Sequence, residues 1–214
     1  VRLIAVVGTG TGVGKTFVAV KVVTALRAAG VAAVARKPVQ SFAPEELAAA
    51  ATDAHLLGAA GGEDPEDVCP PHRWYDLPMA PPMAAEALGR PPFTVAELAG
   101  EIRWPTAAAV GLVETAGGVA SPIAADGDCT DLVRLLAPDL ALLVADAGLG
   151  TISAVRLAVR ALDGLVTTVL LNRFDPGDDL HCRNRDWLRE HDGLHVVTGV
   201  TELLAEPVAP TRSG

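Results

Sequence analysis

Short apolar runs alternate with longer stretches in which apolar residues recur every three or four positions, along most of the 214-residue chain. The runs at residues 3–7, 32–36, 108–113, 140–145 and 167–171, with a weaker one at 195–197, predict strands. Helical spacing covers residues 15–29, 45–57, 95–103, 131–136, 151–162 and 180–190. Strand and helix in turn are the signature of βαβ units. The expected fold is therefore a three-layer α/β domain over residues 1–214, a mostly parallel sheet with helices on both faces.

One stretch breaks the pattern. Residues 64–92 carry prolines from Pro65 to Pro92, together with Trp74 and Tyr75. Proline fixes φ and removes a donor, so this segment is expected to be mostly ordered loop. It reads either as the wall or lid of a site or as a plain surface connection.

Charge narrows the function classes. The chain has 26 acidic and 17 basic residues, a formal net charge of −9. That argues against a nucleic-acid duplex or a membrane surface as partner, since neutralising phosphates needs clustered Lys and Arg. The densest basic group, Arg183, Arg185 and Arg189, is interleaved with acids. A nucleotide asks for less: a few backbone amides and one lysine suffice. No apolar run is long enough to span a bilayer and no signal-peptide pattern opens the chain, so a cytoplasmic protein is expected. Cys69, Cys129 and Cys182 show no CxxC spacing and predict neither a disulfide framework nor a zinc ribbon. His181, Cys182, His191 and His195 lie near one another, but Gly193 interrupts a shared helical face, so a solvated surface is expected there.

The strongest chemical signal follows the first strand. Gly8-Thr9-Gly10-Thr11-Gly12-Val13-Gly14-Lys15-Thr16 contains G-x-x-x-x-G-K-[ST] between a strand and a helix. That is the context in which this pattern cradles phosphates. Glycines let consecutive amides turn onto phosphate oxygens, and the helix N-terminus adds partial positive charge. Lys15 would neutralise the β- and γ-phosphates of ATP, and the Thr16 hydroxyl would join a Mg²⁺ shell. The fold expectation sharpens accordingly to a P-loop fold.

Weaker signals sit at the ends of the other strands. Lys37 follows the second strand and projects toward the crevice beyond the strand ends, where it would stabilise charge on a transferred phosphoryl group or else lie solvated. Asp53 falls inside a predicted helix and is either a Mg²⁺ ligand or part of a solvated face. Glu114, before Ala116-Gly117-Gly118, and Asp146 have the same position after an apolar run, and spacing does not choose between them as the metal-side acid. Asp126, Asp128 and Asp131 read as helix caps. Gly148-Leu149-Gly150-Thr151-Ile152-Ser153 opens a helix and suits a carboxylate or phosphate, or is an ordinary cap at Thr151. The Asn172 amide matches the N6/N7 edge of adenine, or ties down a turn.

Taken together these segments resemble the dethiobiotin synthetase family over residues 3 to about 175. The match rests on the loop at 8–16, Lys37-Pro38-Val39 with Ser41, Asp53, Glu114 with Ala116-Gly117-Gly118, Leu149-Gly150-Thr151-Ile152, and Asn172. Residues 202–206 match a nucleotide-contacting loop of that family only faintly. The resemblance implies an ATP-dependent carboligase that turns 7,8-diaminononanoate, CO₂ and MgATP into dethiobiotin, ADP and phosphate, as a homodimer with the active site at the interface. It implies Mg²⁺ on Thr16, Asp53 and Glu114, which selects Glu114 over Asp146. ATP would be held by Gly12, Val13, Gly14, Lys15, Thr16, Phe17, Asp53, Glu114, Thr115, Ala116, Gly117, Asn172 and Arg173. Lys37 would be catalytic. Thr11, Lys37, Ser41, Gly150, Thr151 and Ser153 would meet substrate. Phe42, Thr115, Ser153 and Arg173 depart from the family's pattern. A related ligase with another substrate stays open, as does a partner-switching ATPase. That last class usually carries a second lysine early in the loop, where this chain has Thr9, Gly10 and Thr11.

Overall fold

The computed structural model describes residues 1–205. The chain runs β1 (Arg2–Gly8), α1 (Lys15–Ala28), β2 (Ala33–Arg36), β3 (Gln40–Ser41), α2 (Pro44–Ala48), α3 (Asp53–Gly61) and α4 (Pro65–Val68). A 3-10 turn at Pro71–Arg73 leads into β4 (Trp74–Tyr75), α5 (Pro81–Ala87), α6 (Val95–Glu101) and β5 (Val110–Glu114). Then come β6 (Pro122–Ala124), β7 (Gly127–Asp128), α7 (Cys129–Leu136), β8 (Leu140–Asp146) and α8 (Thr151–Ala161). The described chain closes with β9 (Thr167–Asn172), α9 (Asp179–Glu190), β10 (Val196–Val197) and α10 (Val200–Ala205).

All six predicted strands join one sheet in the order β10-β9-β8-β1-β5-β2, and every pair is parallel. Side-chain alternation splits the core into two layers. Ile4 and Val6 of β1 point to one face, where they cluster with Val18 and Val22 of α1 and Leu57 of α3. Ala5 and Val7 point to the other, with Val155 of α8 and Leu188 of α9. This is the expected three-layer arrangement, with a buried strand side chain contributing roughly 1.5–3 kcal/mol where it is Val, Leu or Ile. A third cluster, including Tyr75, Phe93, Leu98, Ile123 and Leu132, binds α5, α6 and the β6–β7 hairpin to the rest.

Register brings the chemistry to one edge. Val6 pairs with Glu114, Gly8 with Val144, Arg36 with Val113 and Asp146 with Asn172. Gly8, Glu114, Asp146 and Asn172 are each the last residue of a strand, so the polar residues lie together beyond the carboxyl ends.

Three sequence expectations need correction. The helix expected at 45–57 is two helices, broken where Ala50 takes φ 51°. Asp53 is thus the first residue of α3, where the helix dipole favours an acid. The Gln40 side chain accepts from Ala54 N at 3.0 Å and fixes that start. The proline-rich stretch is more structured than a loop: Pro65, Pro71 and Pro81 each sit in a first helical turn, where the missing N–H is not needed. Finally, Gly150, not Thr151, caps α8, with φ 90°, while the Thr151 hydroxyl donates to the Asp146 carbonyl at 2.6 Å. The aspartates do cap as expected: Asp128 accepts from Thr130 N and Asp131 N, and Asp126 accepts from Val95 N. Among the described residues no helix is long and apolar enough to cross a membrane, and no group of three or more His, Cys, Asp or Glu gathers as a metal site.

Candidate active site

The loop between β1 and α1 adopts the left-handed backbone at Gly12 (φ 76°) and Gly14 (φ 94°), which only glycine accepts cheaply. Lys15 folds back over it, donating to Gly10 O at 3.1 Å and to Gly117 O at 2.7 Å. Burial, then the neighbouring Lys37 charge, lower its pKa. An anion seated in the loop would relieve both effects.

Lys37, expected at the crevice, is buried at its floor. Its ammonium lies 2.7 Å from Glu114 Oε1, 2.7 Å from Asp53 Oδ2 and 3.1 Å from the Thr115 carbonyl. Those three acceptors use all three of its protons. Burial opposes the charge, but Asp53 and Glu114 outweigh it and hold Lys37 above its ordinary pKa. Burial also opposes ionisation of Asp53, yet Lys37 and the hydrogen bonds from Lys37 and Thr16 keep that carboxyl below the usual range. Glu114 goes the other way: desolvation raises its pKa against the pull of Lys37.

The donor set fits Mg²⁺. The Thr16 hydroxyl has one proton but sits 2.7 Å from Asp53 Oδ1 and 2.8 Å from Glu114 Oε1. Three hard oxygens thus converge, and Glu114 Oε2 is buried with no hydrogen-bond partner among the described residues. A magnesium ion wants this kind of ligand and keeps further positions for phosphate and water. Asp146 does not join this group. It lies at the surface in an ion pair with Arg173 at 2.9 Å.

A cavity of about 520 Å³ opens above this cluster. Thr11, Gly12, Gly14, Lys15, Thr16 and Lys37 line its polar end, with Asp53, Glu114, Ala116 and Gly117. Its other walls are Ser41, Phe42, Glu46 and the proline-rich segment at Pro78, Met79 and Pro81, with Ser121 and Pro122. Residues 78–81 of the stretch at 64–92 thus form part of the wall, and Ser41 is tied to them by a 2.6 Å bond to Met79 O. Sequence reasoning singled out the segment but not Met79, Ser121 or Pro122, whose side chains carry no chemical signature. Gly150, Thr151 and Ser153 do not line this cavity. Phe17 is exposed beside Lys21, whose ammonium lies 4.3 Å from its ring centre. The faint match at 202–206 falls on α10, and Glu206 lies outside the described residues.

Asn172 is bound to the loop. Its Nδ2 donates to Val13 O at 2.9 Å, and a Cβ on Gly14 would lie 2.1 Å from that nitrogen. Asn172→Ala should accordingly weaken ATP, GTP and CTP alike by about 1 kcal/mol, the net worth of one hydrogen bond. Calorimetric titration with the three nucleotides checks this, and a loss confined to ATP would show that the amide reads adenine instead.

Comparison with known proteins gives a consistent picture. A family model described as "AAA domain" matches residues 2–208. The ATP-dependent dethiobiotin synthetase BioD of Anaeromyxobacter dehalogenans is 43% identical over 81% of this chain and 78% of that protein. The enzyme of the same name from Haloferax mediterranei is 35% identical over 95% of this chain and 85% of that protein. Among solved structures, the signal recognition particle receptor FtsY from Elizabethkingia anophelis superposes with a TM-score of 0.53 at 16% identity, over 91% of this chain and 57% of the receptor. At that identity the likeness is one of fold alone.

Proposed function

Because the chain belongs to the dethiobiotin synthetase family, we propose that it closes the ureido ring of dethiobiotin from 7,8-diaminononanoate, CO₂ and ATP in this cavity, releasing ADP and phosphate. It is an ATP-dependent ligase of biotin biosynthesis. The observation that carries the site assignment is the convergence of Thr16, Asp53, Glu114 and Lys37 at the floor of a cavity whose outer walls combine Phe42, Met79 and prolines with Ser41, Glu46 and Ser121. The polar end suits phosphates and a reacting amine, and the walls at Phe42, Pro78 and Pro81 suit an aliphatic chain.

Thr16, Asp53 and Glu114 would hold Mg²⁺, which supplies positive charge to the β- and γ-phosphate oxygens. Lys15 reaches the same phosphates from the loop. With both carboxylates engaged by a metal, Lys37 has N–H donors free for the oxygens of the carbamate and the transferred phosphoryl group. The first amine takes up CO₂, the carbamate is phosphorylated by ATP, and the second amine closes the ring. A homodimer in which the cap at Gly150, Thr151 and Ser153 receives the substrate carboxylate from across the interface is part of this reading. The N-terminus of α8, which has no side-chain cap, and the nearly fully exposed Leu149 beside it support it. The reading places the enzyme in the cytoplasm and gives it no nucleic-acid or membrane partner.

The test is ADP release that depends on both diaminononanoate and bicarbonate, with label from bicarbonate appearing in dethiobiotin. Tight MgATP binding without substrate-stimulated ADP release would remove diaminononanoate as the substrate and point to a related ligase.

A further inference from the structure

The end of β9 grips the phosphate loop twice. Asn172 Nδ2 holds Val13 O, and the next residue, Arg173, donates from Nη2 to Gly12 O at 2.9 Å. Arg173 reaches that point only by adopting φ 57°, one of three non-glycine residues with positive φ among those described. A left-handed arginine is unfavourable by roughly 1–2 kcal/mol of backbone energy, so the turn is held by what its side chain does. Its other terminal nitrogen, Nη1, is anchored on Asp146 Oδ2 at 2.9 Å, and Asp146 is itself fixed by Gly148 N donating to Oδ1 at 3.0 Å.

In a trans peptide the C=O and N–H point opposite ways. Holding the Gly12 and Val13 carbonyls toward β9 therefore turns the N–H groups of Val13 and Gly14 to the other side of the loop. Glycine at 12 and 14 leaves both peptide planes free to rotate unless something pins them. We propose that Arg173 is a positioning residue for the nucleotide: through Gly12 O it fixes the Val13 N–H toward the phosphates, and Asp146 orients Arg173. The guanidinium charge on Gly12 O also polarises that peptide and strengthens the N–H on its far side. This gives a role to Asp146, the strand-end acid that the metal cluster leaves out. It rests on the reading of the loop as the ATP phosphate site.

Arg173→Gly separates positioning from folding, because glycine relieves the left-handed backbone while removing the fork. The expected result is a melting temperature at or above wild type, MgADP affinity about tenfold weaker by calorimetry, and unchanged diaminononanoate affinity. In turnover, KM for MgATP should rise with kcat nearly constant. Asp146→Asn should show a smaller nucleotide loss, about threefold, from loosening the anchor. An Arg173→Gly protein with wild-type MgADP affinity would overturn the inference. So would a variant whose melting temperature, nucleotide affinity and diaminononanoate affinity fall together, since that is the pattern of a merely structural residue. Wild-type protein that fails to bind MgADP at all would overturn the phosphate-site reading and this inference with it.

Discussion

Lys37→Ala is expected to bind MgATP within a few-fold of wild type and to turn over at least about 10²-fold more slowly. On the proposed reading, ground-state phosphates would meet Lys15 and the loop amides, whereas Lys37 sits across the cavity floor between Asp53 and Glu114. On that reading its charge would be needed most when negative charge builds on the carbamate and the transferred phosphoryl group. The effect therefore belongs in kcat rather than in nucleotide affinity. Lys37→Arg should rescue little, because a planar fork does not fit the position of a compact ammonium held by three acceptors. The same variant should show a second signature. Without Lys37 the fully buried Glu114 has lost its cation, so the ligand-free alanine protein should be less stable by about 3 kcal/mol. Mg²⁺ with ADP should restore much of that. Melting curves with and without MgADP read this directly. Normal turnover in Lys37→Ala would remove Lys37 from the mechanism whatever the substrate.

Glu114→Gln should raise the Mg²⁺ concentration needed for half-maximal turnover and lower turnover by about 10²-fold, since a neutral amide is a poor substitute for a hard anionic ligand. The fold should survive. An isosteric amide keeps the shape, and Asp53 still pairs with Lys37 at 2.7 Å. Asp146→Asn should leave the Mg²⁺ requirement unchanged, because Asp146 lies at the surface against Arg173. A magnesium titration of turnover for the two variants decides the matter. If Asp146→Asn carried the metal phenotype and Glu114→Gln did not, the metal cluster would be misassigned.

Both predictions concern residues that their local sequence alone leaves ambiguous. Glu114 and Asp146 each end an apolar run, and nothing local distinguishes them. Register decides: β5 and β8 both flank β1, but Glu114 is level with Val6, whereas Val144 is level with Gly8 and Asp146 lies beyond it. Asp53 was obscured by a run of helix-forming alanines that reads as one helix over 45–57. A positive φ at Ala50 and the Gln40 cap on Ala54 break that run and turn Asp53 toward Thr16 and Lys37. Such long-range contacts override propensity, and propensity is all that a local window contains. Asn172 reads either as an adenine contact or as the tie of a turn, and its Nδ2, like the Arg173 fork, holds a loop carbonyl, at Val13 and Gly12 respectively, 159 and 161 positions away in the chain.

What the sequence determined by itself was whatever is encoded locally. The six strands follow from hydrophobic periodicity, the phosphate loop from glycines at positions that need φ > 0 before a lysine and a threonine, and the cap of α7 from Asp128. What the tertiary structure alone decided was which side chains from distant strand ends share one space. That fixed the Lys37–Asp53–Glu114–Thr16 cluster, the use of residues 78–81 of the proline-rich stretch as a cavity wall, and the pairing of Asp146 with Arg173 away from that cluster. The physical reason is that a strand's neighbour and register are set by burial summed over the whole sheet, and no residue at the strand's end carries that information.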